Sequence, residues 1–238
     1  MNSGALGLNI RQGVNNDNVT AYHRDAKPHT SLVHDEGKLV DMLRAAGTRP
    51  CWRMTGDDPE HNPLRLAPAQ FVRDRVMALG GDRRALIHLT NELGQSDAHD
   101  TWTLGALAEC SRLQVRAVVF NHYTHTPYAV WMRSARVLHE TVSGGHVIGA
   151  HVYYNGAFPA HADDDHHAFL RARDQVGGEW LVTEFAYAAR RADGQLDPRQ
   201  GWQGRISEAE YVDQLGRAAG WYAAQGLPVC LFSWGPWP

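Results

Sequence analysis

The sequence contains no run of lysine or arginine, and its formal net charge is only -3 with both signs interspersed. A protein that binds nucleic acid usually carries a basic patch. The sequence also has no apolar stretch long enough to span a bilayer, and its first residues lack the basic leader and apolar core of a signal peptide. We therefore expect neither a nucleic-acid nor a membrane partner. A cytoplasmic protein, a phage-encoded protein and a domain of a longer secreted chain all remain open.

Cysteine is scarce, with three residues in the whole chain. Cys51 and Cys230 lie in apolar, strand-like runs, where a thiol usually behaves as a small buried hydrophobe. We expect no disulfide framework. Internal repeats, low-complexity tracts and linkers are absent from the sequence as well, and 238 residues fit one large domain. We expect a single domain over residues 1–238.

Short apolar runs rich in β-branched residues recur along the chain, with helical patterns between them. This alternation is typical of βα units around a parallel sheet. Seven of these runs are predicted as strands: 5–10, 49–54, 84–90, 115–121, 146–154, 180–185 and 228–234.

Helical patterns separate the predicted strands. They cover 36–46, 68–79, 102–113 and 128–142, with another beginning in the acidic stretch 163–165. Ser207 and Glu210 form a capping box that predicts the start of a last helix. The pattern favours an α/β fold, a (β/α)8 TIM barrel, which needs eight strands. Either a weak strand lies within 14–35 or 55–67, or the barrel is small and reduced on its early (β2–β3) side.

Two carboxylates stand at the ends of predicted strands. Glu92 follows ALIHLTN, and Glu184 follows EWLVT. The active sites of such barrels lie at the carboxyl ends of the strands. Glycoside hydrolysis needs a pair of this kind, in which one carboxyl group protonates the leaving oxygen and the other attacks the anomeric carbon.

The sequences around both residues resemble those of the clan A retaining glycoside hydrolases. Asn91-Glu92 ends one strand and Thr183-Glu184-Phe185 ends a later one. Counted back from the C-terminus, these are the fourth and seventh strands, where that clan carries its acid/base and its nucleophile. The resemblance implies that Glu92 is the general acid/base and that Glu184 is the nucleophile. The short chain resembles compact catalytic cores such as those of small β-1,3-glucanases.

The resemblance implies substrate-binding roles for five further residues. His151-Val152-Tyr153 resembles the clan's His-x-Tyr, whose tyrosine hydrogen-bonds the nucleophile and whose histidine helps bind near the acid/base. Arg53 resembles the second-strand arginine that supports the nucleophile carboxylate, and Asn91 would contact the sugar 2-hydroxyl. Trp234 resembles the tryptophan that forms the floor of the subsite for the cleaved sugar.

Residues beyond the matched motifs are also predicted to line the cleft. Asn121, His122, Tyr123 and His125 end the predicted fifth strand, where they could bind sugar hydroxyls or a metal; we favour substrate contact. Trp102, close after the acid/base loop, is a candidate stacking platform on the aglycone side.

The sequence departs from the clan in two places, and structural interpretations stay open. Leu93-Gly94 follows the Asn-Glu pair where many members have proline, and the third-strand histidine of several families is not found. Glu92 could be a carboxylate at a helix N-terminus, and Glu184 could be a structural partner of Arg53.

The favoured function is a retaining glycoside hydrolase that cleaves β-glycosidic bonds of a poly- or oligosaccharide and acts as a monomer without metal or organic cofactor. The His- and Asp-rich run at 161–167 is interpreted as a solvated helix start. Two alternatives are a carbohydrate-binding barrel without catalysis and a metal-dependent hydrolase that uses the histidines of the cleft.

Overall fold

The structure is a computed structural model that describes residues 7–10, 16–34, 37–53, 66–91, 96–122, 126–154, 168–187, 189–190, 196–197 and 202–231. No helix within these segments is long and apolar enough to cross a membrane.

Eight parallel strands close into a barrel, so the predicted (β/α)8 fold is confirmed. In chain order the strands are β1 (Gly7–Ile10), β2 (Thr30–His34), β3 (Arg49–Arg53), β4 (Leu86–His88), β5 (Arg116–His122), β6 (Val147–Tyr154), β7 (Glu179–Tyr187), β8 (Ala189–Arg190), β9 (Leu196–Asp197) and β10 (Val229–Leu231). Around the barrel the order is β1, β10, β7, β6, β5, β4, β3, β2, while β8 and β9 form a separate antiparallel pair.

The helices described are α1 (Asn16–Ala26), α2 (Gly37–Ala45), α3 (Pro68–Ala78), α4 (Asp97–Leu113), α5 (Tyr128–Arg133), α6 (Ala135–Ser143), α7 (Ala168–Val176) and α8 (Glu208–Ala224). The predicted cap of the last helix is confirmed, because the Ser207 side chain accepts a hydrogen bond from the Glu210 N–H. The helix predicted over 128–142 is divided at Ser134. Its buried hydroxyl donates to the Asp100 carboxylate at 2.7 Å, which ties the break to the start of α4.

The strand missing from the sequence prediction is β2, within the first of the two segments considered. It was missed because polar groups do much of its packing. The buried His23 of α1 is within hydrogen-bond distance of the Ser31 hydroxyl, which also accepts from the Leu8 N–H at 2.9 Å. These contacts join α1, β1 and β2 without the apolar pattern by which a helix or strand is recognised.

An apolar cluster fills the barrel interior. Seven of the eight barrel strands each contribute one almost completely buried side chain: Leu32, Cys51, Leu86, Val118, Val147, Leu181 and Cys230. A larger cluster packs the outer faces of the strands against the helices. All three cysteines are buried thiols.

The amino-terminal end of the barrel carries an ion-pair network. Glu179, the first residue of β7, accepts hydrogen bonds from Arg49 of β3 and from Arg116 of β5, the latter at 2.7 Å. Burial alone would raise the pKa of Glu179, but the two guanidinium groups outweigh it and leave that pKa below its usual value.

Candidate active site

Glu184 lies near the carboxyl end of β7 and is only 4% exposed. Arg53 donates from Nη1 to Oε1 at 2.8 Å, and the Tyr153 hydroxyl donates to Oε2. His151 Nδ1 lies 3.7 Å from Oε2, which is longer than a hydrogen bond. A buried carboxylate is stable only when such partners replace its hydration. Glu184 therefore has a cation at one oxygen and a hydroxyl donor at the other.

Arg53 reaches Glu184 across the mouth of the barrel. It is the last residue of β3, and three strands separate β3 from β7 in either direction around the barrel. The prediction that Arg53 ends the second strand is wrong, because β2 precedes it in the chain. Arg53 therefore ends the third strand, and the second strand ends in His34.

A register shift places Glu184 beside its neighbours on β6. Ala150 pairs with Val182 and His151 pairs with Glu184, so Thr183 is an extra residue on β7. A bulge of this kind bends a strand and changes where its last side chains point. It brings Glu184 next to His151 in the barrel wall.

Asn91 lies just after β4 and is buried at 6% exposure. Its Oδ1 has no hydrogen-bond partner among the residues that the structure describes. Its predicted partner in catalysis, Glu92, lies outside those residues, and so do Tyr123, His125 and Trp234. The separation of the two carboxyl groups is therefore not part of the described geometry. The run at 161–167 lies outside as well.

Asn121 does not line the cleft as predicted. It is fully buried, and its side-chain amide hydrogen-bonds Thr90 and Thr183 within the protein. The prediction of a sugar contact at Asn121 is wrong because both ends of its amide are already bonded.

His122 lies in the packing between β5 and α5. Its ring is edge-on to Trp131 with the centroids 4.6 Å apart, and it is 5% exposed. Burial, with smaller effects from His99 and His151, lowers the pKa of His122 to about 3. A neutral ring among core aromatics does not support the predicted role of His122 as a sugar contact.

Trp102 is a core residue rather than a stacking platform. Its ring packs edge-on against Phe71 with the centroids 4.9 Å apart, and its Nε1 donates to the Leu66 carbonyl at 2.9 Å. It is 4% exposed. A buried ring packed against α3 does not support the predicted stacking role of Trp102.

Sequence reasoning gave no role to two polar residues near the site. His88 is fully buried at the end of β4, on the same face as Leu86 of the interior cluster. Thr183 lies on the bulge of β7 and was named from the sequence only as part of Thr183-Glu184-Phe185. The signal for both was a polar residue inside an apolar run. Among the residues described, no group of three or more histidine, cysteine or acidic side chains could hold a metal ion.

No protein-family model matches this chain, and no curated protein matches it. Solved structures do match it, at low sequence identity. The catalytic domain of a mannanase from Streptomyces sp. SirexAA-E is 18% identical, with a TM-score of 0.56, over 98% of this chain and 77% of that one.

Two further matches are enzymes with other names. A GH128 (subgroup I) endo-β-1,3-glucanase from Amycolatopsis mediterranei is 14% identical, with a TM-score of 0.60, over 97% of this chain and 89% of that one. A fungal β-1,4-galactanase is 11% identical, with a TM-score of 0.58, over 95% and 83%. This chain therefore has the same barrel fold as several glycoside hydrolases, and at such identities the likeness extends to the fold alone.

Proposed function

We propose that this protein is a retaining glycoside hydrolase that cleaves β-glycosidic bonds of a poly- or oligosaccharide. Glu184 is the nucleophile and Glu92 the general acid/base. The carrying observation is the setting of Glu184, a buried carboxylate at the carboxyl end of β7 with Arg53 on one oxygen and Tyr153 on the other. The fold shared with glycoside hydrolases supports the same assignment.

In the first step Glu184 attacks the anomeric carbon while Glu92 protonates the departing glycosidic oxygen. The new bond joins a Glu184 oxygen to the sugar, and the aglycone leaves with the proton from Glu92. In the second step Glu92 takes a proton from water, and the water oxygen displaces Glu184 with net retention of configuration.

The contacts of Glu184 suit a nucleophile. Arg53 fixes Oε1 and holds the carboxylate in one orientation. Tyr153 donates to Oε2, so the two oxygens differ in their surroundings. Asn91 directly precedes Glu92, and its buried Oδ1 is an acceptor with no partner among the described residues, which supports a polar role for Asn91 beside the acid/base. In a retaining enzyme the two carboxyl groups lie about 5–5.5 Å apart, and a gap of about 6.5–9.5 Å would mean inversion instead.

A reducing-end assay tests the proposal. The panel covers β-glucans, β-mannans, galactans, xylans and bacterial cell-wall or capsular polysaccharides, and compares the wild type with Glu184→Gln and Glu92→Gln. We expect activity on one polymer that both substitutions abolish. Activity that survives both would overturn the two-carboxylate mechanism. Binding without cleavage of any polymer would favour a carbohydrate-binding barrel.

A further inference from the structure

Asn121 occupies a strained position at the end of β5. Phe120 and Asn121 have φ angles of 71° and 47°, and they are the only non-glycine residues within a described strand that adopt the left-handed conformation. The pairing with β6 skips Asn121, because Phe120 pairs with Gly149 and His122 pairs with Ala150. Strain of this kind persists only where the surrounding contacts hold it.

The side chain of Asn121 joins two other strands. Its Oδ1 accepts from the Thr183 hydroxyl at 2.8 Å, and its Nδ2 donates to the Thr90 carbonyl at 2.6 Å. Only one orientation of the amide satisfies both bonds, since a hydroxyl donor faces one end and a carbonyl the other. Asn121 is fully buried, so water does not compete for either bond.

A glycine makes room for this amide. A Cβ atom built on Gly149 of β6 would lie 1.9 Å from Asn121 Oδ1. The bridge therefore depends on two features of different strands, the left-handed backbone of β5 and the missing side chain at Gly149.

Both ends of the bridge are close in sequence to a proposed catalytic carboxylate. Thr183 directly precedes Glu184, and Thr90 is two residues before Glu92. We propose that Asn121 is a positioning residue that holds the proposed nucleophile Glu184 in place by tying Thr183 of β7 to Thr90 after β4. This role rests on the proposed function. Rates depend on the placement of reacting groups, because a misplacement of about 1 Å can slow a reaction by about a hundredfold.

Three variants test the bridge. Thr183→Val removes the hydroxyl that donates to Asn121 and also lies 3.3 Å from the Ala150 carbonyl, and Thr183→Ser keeps it. Gly149→Ala leaves both threonines in place and displaces the amide, although its Cβ would also lie 2.8 Å from Val118 Cγ1. Thr141→Val is the control, because it removes another buried threonine hydroxyl, bonded to the Val137 carbonyl at 2.7 Å within α6.

The readouts are kcat and KM on the polymer identified by the panel, measured below the melting temperature of every variant. We expect Thr183→Val and Gly149→Ala to lower kcat by about tenfold or more with KM within about twofold, since orientation affects the reacting geometry rather than binding. Thr183→Ser and Thr141→Val should stay within about twofold of wild type. The double variant Gly149→Ala/Thr183→Val should be no slower than the slower single variant, because both break one bridge.

The outcomes separate the two proposals. An inactive wild type overturns the proposed function and this role with it. With an active wild type, a kcat near wild type in Thr183→Val overturns the role of Asn121 alone, as does an equal loss in Thr183→Ser and Thr183→Val. If Gly149→Ala does not fold, the two Thr183 variants decide.

Discussion

The two ends of the barrel each carry an arginine–glutamate pair between the same two strands. At the amino-terminal end Arg49 of β3 meets Glu179 of β7, and at the carboxyl end Arg53 of β3 meets Glu184 of β7. Both pairs cross the barrel, since β3 and β7 lie opposite each other. The side chains of Arg53 and Glu184, at the carboxyl end, are each 5% exposed, whereas the side chain of Glu179 is 35% exposed.

The two carboxylates differ in what surrounds them. Glu179 has a second arginine, Arg116, so positive charge exceeds negative charge around it. Among the contacts described, Glu184 has Arg53 at one oxygen, and its other oxygen accepts a hydrogen bond from the neutral hydroxyl of Tyr153. A carboxylate between two cations is a weak nucleophile. Glu179 also lies at the amino-terminal end of the barrel, which serves stability, whereas Glu184 lies at the carboxyl end, where barrel enzymes carry out their chemistry. The same ion pair is thus structural at one end and, in our proposal, functional at the other.

The largest expected difference is between Glu184→Gln and Glu179→Gln. Glu184→Gln should lower kcat by more than about a thousandfold, as removal of a covalent nucleophile does in other enzymes. Glu179→Gln should leave kcat within about twofold of wild type, because Glu179 is at the far end of the barrel. The measurement is initial rates on the polymer identified by the panel.

Stability supplies the reverse comparison. Glu179→Gln leaves Arg49 and Arg116 without a counter-charge and should lower the free energy of unfolding by about 1 kcal/mol, a figure reduced by the partial exposure of the network. Urea unfolding at neutral pH measures it. Equal losses of activity in the two variants would show that the ends of the barrel are not functionally distinct.

Tyr153→Phe gives a smaller effect at the upper end. It removes the hydroxyl that donates to Glu184 Oε2 and leaves the ring in place. A hydrogen bond to a charged group contributes about 1.5–3 kcal/mol, so kcat should fall by about ten- to a hundredfold. Tyr22→Phe, on α1 away from the cleft, is the matched control and should keep its rate. A Tyr153→Phe enzyme as fast as the control would mean that the hydroxyl does not act on Glu184 during the reaction.

The fold was largely predictable from the sequence because parallel strands buried on both faces leave continuous apolar runs. The exceptions share one cause. β2 and α1 pack partly through His23 and Ser31, and α5 is separated from α6 by the hydrogen bond from Ser134 to Asp100. Polar groups that satisfy one another across elements produce no periodic pattern, so they are visible only in the structure.

Residues at the ends of strands could be assigned to the site from the sequence. The sequence was a poorer guide where a residue's role depends on whether its side chain is buried. Glu184, Arg53 and Tyr153 were predicted to lie together because strand ends converge at one edge of a barrel, and their side chains do meet in the structure. The position of a residue in the sequence does not show whether its side chain faces the cleft or packs inside the protein. Trp102 and Asn121 were therefore assigned to the cleft, although one packs on α3 and the other bridges strands inside the protein.

The smallest expected effect on activity comes from substitution of His146, which lies at the amino-terminal end of the barrel and should change the pH dependence of stability. Its Nδ1 accepts from the Ala117 N–H at 3.2 Å, so that nitrogen carries no proton. Burial, with a smaller effect from Arg116, lowers the pKa of His146 from 6.5 to about 4. As the pH falls, His146 is protonated near pH 6.5 in the unfolded chain but only near pH 4 in the folded protein. The stability contributed by neutral His146 is therefore lost between about pH 6.5 and 4.

His146→Asn keeps an oxygen acceptor for the Ala117 N–H but does not titrate. Between pH 7 and pH 5 the wild type should lose about 2 kcal/mol more unfolding free energy than this variant. Chemical denaturation at the two pH values measures the difference. Because His146 lies beside Arg116, its variant should change the pH dependence of stability without changing kcat at pH 7. A fall in kcat would show that the lower network reaches the site at the other end of the barrel, and would weaken the division of roles between the two arginine–glutamate pairs.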